Sequence, residues 1–320
     1  MSPQESLVTR RDFLRGVGYA ALASTVGLAE GCRPAADGSE SEPAAEADRL
    51  RAAEGAERRP AGAIARVVLI RDADAVDAHG RVNAEAVQRM LDQAVAQLLQ
   101  VDRAETAWKQ LVQPTDRVGL KSNVWNPLPT PPEVEEAIKT SLMAAGLPAE
   151  NIRVDDRGAR QTLADCTALI NVRPLRTHHW AGIGGCLKNY IMFVPTPSAY
   201  HPDSCADLGA IWKLPIVRGK TRLNLLVVLT PQFHGRGPHH FDPRYVWPYK
   251  GLLVSQDPVA VDAVGVKLLE VKRRLHFGED VPFPTRTKHV TVADVKHGIG
   301  VSDLERIELV KLGWTEEVLI

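Results

Sequence analysis

His178 and Lys188 are the two groups in this chain best suited to move a proton or attack an electrophile, and they sit ten positions apart in a run crowded with polar residues. The imidazole has an unperturbed pKa near 6.5, which suits proton transfer. The amine, once desolvated, can act as a base or form a Schiff base. Between them Gly182, Gly184 and Gly185 let the backbone approach a ligand closely. A helix opening at these glycines would offer free N–H groups and its dipole to an anion. Lys188 would stand against that dipole, an arrangement that makes sense with a phosphate or carboxylate between the two. Asn189 adds an amide beside it. His178 and His179 are neighbours, so an extended chain sends them to opposite faces, and His178 is assigned to the cleft.

Lys121 and Asn123 follow a second strand-like run. Two strands would then deliver polar groups to one sheet edge, where ligands of open α/β sheets bind. Asp262 lies among Val261, Val264, Gly265, Leu268 and Leu269 on what should be the packed side of a helix. A carboxylate there needs a partner or a shifted pKa, and Lys121, Lys188 or the histidine is the expected partner. His201 and Cys205 belong to one further polar cluster, and His234 and His239 to a glycine-containing loop; these four are the candidate metal ligands, although their spacing matches no metal motif.

The elements that must position these groups follow from periodicity. Residues 65–70 form an aliphatic run broken only by Arg66, read as a central strand, and Asn83 is placed to cap a helix carrying Val87, Met90, Leu91, Val95 and Leu98. Further strands are expected at 117–120, 152–154, 168–172, 223–229 and 251–254. Helices are expected after Pro131-Pro132, near 182–193, near 207–214 and from Pro258 to about residue 274, the last started by Asp257 as cap. Apolar strands alternating with helices indicate an α/β layer fold, with a largely parallel or mixed sheet flanked by helices.

The first residues carry Arg10-Arg11 followed by Phe13-Leu14 and a short apolar stretch, the pattern of a twin-arginine export signal. Residues 1–32 are read as that signal, 33–63 as a linker too poor in large apolar residues to fold, and 64–320 as one α/β domain. Export by the twin-arginine translocase to the periplasm follows as an expectation, with Cys32 a candidate site for a lipid anchor and membrane contact expected only through it. The chain has 39 basic and 39 acidic residues, so no global field recruits nucleic acid. Its four cysteines show no iron–sulfur or zinc-ribbon spacing.

Taken in order, Lys121-Ser122-Asn123, Arg176-Thr177-His178, Gly182 and Gly185 before Leu187-Lys188-Asn189, His201, Gly235-Arg236-Gly237-Pro238, Asp257-Pro258 through Asp262, and Gly298-Ile299-Gly300 resemble the family catalogued as domain of unknown function 362. The resemblance spans about residues 115–300. Relatives usually read Lys-Pro-Asn and Lys-Thr-His where this chain has Lys121-Ser122-Asn123 and Arg176-Thr177-His178. Some carry ferredoxin-type cysteine clusters, which this chain lacks. The resemblance implies an α/β fold and a shared polar cleft, and names no substrate. The expected function is an exported protein binding a small anion or phosphate-bearing cofactor through Lys121, Asn123, Gly182, Gly185 and Asn189, with His178, Lys188 and Asp262 as catalytic candidates. The alternative is a non-catalytic periplasmic protein that binds a metal or ligand.

Overall fold

A computed structural model describes Gly62 and residues 64–235 and 241–320; the expected signal segment with Cys32, nearly all of the linker, and His239 lie outside the described residues. The fold is α/β, built on an eight-stranded mixed sheet. Its strands are β1 (Ala65–Arg71), β2 (Val118–Lys121), β3 (Ile152–Asp155), β4 (Ala168–His178), β5 (Gly182–Gly184), β6 (Thr221–Gln232), β7 (Gly251–Ser255) and β8 (Ile307–Gly313). They run in the order β3-β2-β4-β6-β7-β1-β8, with β5 folded back on the far end of β4. Strands β3, β2, β4 and β6 are mutually parallel, and β1 is parallel to β8; β7 is antiparallel to both of its neighbours. The run at 65–70 is therefore not central: it lies one strand in from the edge formed by β8.

Helices α1 (Ala84–Leu98), α2 (Ala104–Leu111) and α3 (Pro132–Ala144) cover one face. Their apolar stripes bury Val87, Leu91, Trp108 and Ile138 against Val118, Ile170, Val172, Leu225 and Val254 of the sheet. Asn83 starts α1 by accepting from the N–H groups of Glu85 and Ala86, as its position before the apolar repeat requires. The opposite face carries α8 (Pro258–Phe277) and α9 (Lys288–Val295), with the single turns α4 (Ala159–Thr162), α5 (Cys186–Asn189), α6 (Pro202–Cys205) and α7 (Leu208–Ile211) packed near them. Asp257 caps α8 through the N–H groups of Val259 and Ala260, at 2.9 Å each, and Gly278 ends it with a left-handed φ of 74°.

Two local expectations are corrected. The strand expected at 168–172 continues to His178, so Arg173 to His178 lie on β4 itself, with a register irregularity at Pro174. The polar residues do not end it because β4 outruns β2 and gains β5 as an antiparallel partner. The glycine-opened helix expected at 182–193 is instead strand β5, one helical turn at α5, and a 3-10 turn over Tyr190–Phe193.

A row of polar residues crosses the sheet at one level. Asp155 pairs with Lys121, Lys121 with Asn171, Asn171 with Asn224, and Asn224 with Ser255. All five share the α8 face, between aliphatic layers. Asn171 donates to Asn224 at 3.0 Å, and Asn189, descending from α5, donates to Asn171 at 2.9 Å. Three buried amides thus join α5, β4 and β6 without leaving a polar group stranded.

Candidate functional site

Asn189 also donates to the backbone carbonyls of Lys121, at 2.9 Å, and Val172, at 3.1 Å. This anchors α5 over the C-terminal end of β2. Lys121 is fully buried and its ammonium meets Asp156 at 2.5 Å, the carbonyl of Ser122 at 2.8 Å and Asn189 Oδ1 at 3.3 Å. Burial lowers the amine to about 8, while Asp156 pulls it back up. Asp156 is held below the usual carboxylate range by Lys121, against its own burial, and its second oxygen accepts from Val124 N–H at 2.9 Å. Lys121 therefore completes a structural ion pair that fixes the loop after β2. Asn123 on that loop accepts from Arg176 at 2.9 Å, and the Arg176 guanidinium lies over the Trp125 ring, 4.4 Å from its centre.

Asp262 does not pair with a lysine or with the histidine. Its two oxygens accept from the N–H groups of Cys186, at 2.6 Å, and Leu187, at 2.9 Å, capping α5 from across the interface. The carboxylate takes the place at this helix start that sequence reasoning reserves for an external anion. Gly185 has no side chain for the same reason, since a Cβ there would run into Asp262. Burial raises Asp262 to about 7 despite the two amide bonds. Gly182, at φ 76°, turns the β4–β5 hairpin, and a Cβ on it would lie 2.5 Å from the Thr285 carbonyl. Gly185→Ala is expected to lower stability by about 1–3 kcal/mol, read as a shift of the urea midpoint; an unchanged midpoint would contradict the close approach.

Lys188 is the third residue of the single turn α5, whose start is occupied by Asp262, and is the hub of the remaining groups. Its ammonium reaches Cys205 Sγ at 3.5 Å. Burial lowers it to about 8, opposed by Cys205 and aided by Arg173 and Arg176. Its charge also lowers the pKa of His178, His201 and His289, in each case behind burial as the larger cause. Arg173 and Arg176 are both buried, and Arg173 packs 2.9 Å from where a Cβ of Gly184 would stand. The Nε of each arginine lacks a hydrogen-bond partner among the described residues.

His178 is 8% exposed and held neutral by burial with Lys188 and Arg173 nearby. Its Nδ1 accepts from Trp180 N–H at 3.2 Å, so the neutral ring carries its proton on Nε2. His178 and His179 do not diverge: their rings stack at 4.8 Å, because His179 has entered the hairpin turn where strand alternation ends. Trp180 lies at the rim, 44% exposed, with its ring centre 3.9 Å from that of His201.

The structure thus brings His178, Lys188, His201 and Cys205 together, places Lys121, Asn123 and Asn189 alongside as the supporting frame, and gives Asp262 and Gly185 to the capping of α5. His234 stands apart, its Nδ1 2.9 Å from Arg273 and its ring against Tyr245 and Phe277. Among the described residues no group of three or more His, Cys, Asp or Glu side chains is placed to hold a metal, and His239 lies outside them. Sequence reasoning missed three members of the cluster. Arg173 and Arg176 were not among the candidate site residues, although the structure buries both within β4. His289, on α9, is fully buried with no hydrogen-bond partner for either ring nitrogen among the described residues, and nothing around it in the sequence marks it.

Sheet, capped turn and buried cations together define an α/β protein with a positively charged centre beside the C-terminal ends of its parallel strands. Residues 148–267 match the family model described as Domain of unknown function (DUF362). The match takes in β3 to β7 and the start of α8, and so includes Lys188, both arginines and Asp262. No curated protein and no solved structure matches the chain.

Proposed function

We propose that the protein is an enzyme acting on a small anion held by Arg173 and Arg176, with His178 and Lys188 as the groups that act on it. The observation that carries this reading is the imbalance of buried charge. Lys121, Arg173, Arg176 and Lys188 are all buried in the cluster, and the carboxylates among them are Asp156 and Asp262. Asp156 is committed to Lys121, and Asp262 to two backbone amides with its pKa near neutrality. A buried cation without a counter-charge is costly, and an anionic ligand removes that cost. Planar guanidinium groups suit carboxylate or phosphate oxygens, which accept two parallel N–H bonds. His178, neutral with Nε2–H, is a donor to a developing oxyanion.

A ligand that binds only the folded state raises its stability, by about 2.7 kcal/mol at one hundred times its Kd. Phosphate, sulfate and oxalate are therefore expected to raise the melting temperature above that in chloride of equal ionic strength. Arg173→Met should abolish the rise. Equal melting temperatures in all four anions would overturn the reading.

A further inference from the structure

The two buried lysines differ in what faces them. Lys121 Nζ has a carboxylate at 2.5 Å and two further oxygens, one of them at 2.8 Å, so its ammonium form is fully served. Lys188 Nζ has Cys205 Sγ at 3.5 Å, a weak acceptor, and no carboxylate among the described residues within ion-pair distance. Its other charged neighbours are Arg173 and Arg176. Such surroundings disfavour the protonated amine and leave its lone pair free to react.

The backbone opposite is unusual as well. Asp203, Ser204 and Cys205 hold φ values of 49°, 60° and 59°, three consecutive non-glycine residues in the left-handed region. Each is disfavoured relative to right-handed backbone, and such conformations gather at working sites. The turn they make brings a thiol, rather than a carboxylate, to the amine. Burial raises the Cys205 pKa, so the thiol is a weaker counter-charge to the amine than a carboxylate would be.

We infer that Lys188 is a covalent amine that condenses with the carbonyl carbon of a small oxoacid whose carboxylate is held by Arg173 and Arg176. The inference rests on the anion-binding reading above and adds to it the carbonyl group and the nucleophile. In the first step the neutral amine attacks the carbonyl carbon. A C–N bond forms, the π pair moves to oxygen, and a proton passes from nitrogen to that oxygen to give a carbinolamine. The nitrogen lone pair then expels the hydroxyl, which leaves as water with the remaining N–H proton, giving the imine. Amine and carbonyl become imine and water, with no change of oxidation state and no other reactant. His178 Nε2–H is a donor for the carbonyl oxygen as it gains charge. With its pKa lowered to about 8, Lys188 has on the order of 100-fold more neutral amine at pH 7 than a surface lysine.

The test incubates the full chain with pyruvate, and separately with glyoxylate, in the presence of sodium cyanoborohydride, followed by peptide mass mapping. One reduced adduct per chain on Lys188, suppressed by excess oxalate, is the expected result, with at least roughly tenfold less on any other lysine. Lys188→Arg should keep the stabilisation by oxalate and lose the adduct. If oxalate stabilises the protein but no adduct forms on Lys188, the imine is overturned and anion binding stands. If oxalate neither stabilises nor competes, both readings fall. Adducts scattered over surface lysines and indifferent to oxalate also overturn the imine, and mapping on the unsubstituted protein does not depend on any variant folding.

Discussion

Lys121→Met destabilises the domain by about 3–5 kcal/mol, a large part of the margin that holds a domain of this size folded. The substitution leaves the Asp156 carboxylate, 7% exposed, without the ammonium 2.5 Å away that holds its pKa down. It also removes the donor to Ser122 carbonyl and Asn189 Oδ1, so both the loop after β2 and the seating of α5 loosen together. Arginine does not replace the lysine, because a planar fork cannot fill a fully enclosed site shaped for one ammonium. Removing the charge of Asp156 as well, in Lys121→Met with Asp156→Asn, should recover part of the loss. The measurement is the urea midpoint at constant m-value. A shift no larger than that from breaking the exposed Arg81–Asp77 pair would refute the structural role of the ion pair.

Acid is the second large perturbation, and its sign follows from three buried groups. His289 is lowered to about 3 by burial, with Lys188 and Arg173 nearby, and His178 is lowered strongly for the same reasons. A depressed imidazole contributes stability that is present above the unfolded pKa near 6.5 and is lost as pH falls toward the folded value. Asp262 acts the other way: raised to about 7, its contribution is fully present below the unfolded value near 4 and is lost as pH rises through 7. Between pH 6 and 4 the unfolded chain thus holds nearly two protons at these histidines that the folded chain lacks, and the folded chain holds one at Asp262 that the unfolded chain mostly lacks. The net loss from these groups is about 1.4 kcal/mol per pH unit. His289→Leu replaces an imidazole that has no hydrogen-bond partner among the described residues, so it should make the decline over this range shallower by about 1.4 kcal/mol per pH unit. Urea midpoints at pH 6, 5 and 4 check it, and an equally steep decline in the variant would exclude His289 as a cause.

How far the sequence reveals the molecule depends on the range of the forces involved. The caps at Asn83 and Asp257 and the aliphatic strands were legible because each is set by neighbours within a few residues. The rank of β1 within the sheet was not, since it depends on β8, which lies more than 200 residues away and alternates exposed and half-buried positions. Strand β4 was cut short because Arg173 and Arg176 look like loop residues until β5 folds back beside them. The density of polar groups near Lys188 was visible from spacing alone, whereas the division of labour was not. Lys121 and Lys188 have similar local contexts, and only the arrival of Asp156 at one and Cys205 at the other separates a structural ammonium from a reactive amine. Asp262 was rightly judged unable to sit unpartnered among aliphatic residues, but its partners proved to be backbone amides, which carry no side-chain signature.

The polar row from Asp155 to Ser255 works as a vernier across five strands. Sliding β4 or β6 by a single residue in either direction would turn its asparagine into the aliphatic layer beneath α1–α3 and carry a hydrocarbon side chain to the level of Asn189. A one-residue insertion or deletion inside β4 or β6 is therefore not a local defect but a loss of frame for the whole sheet. The chain is free to lengthen or shorten only between its strands.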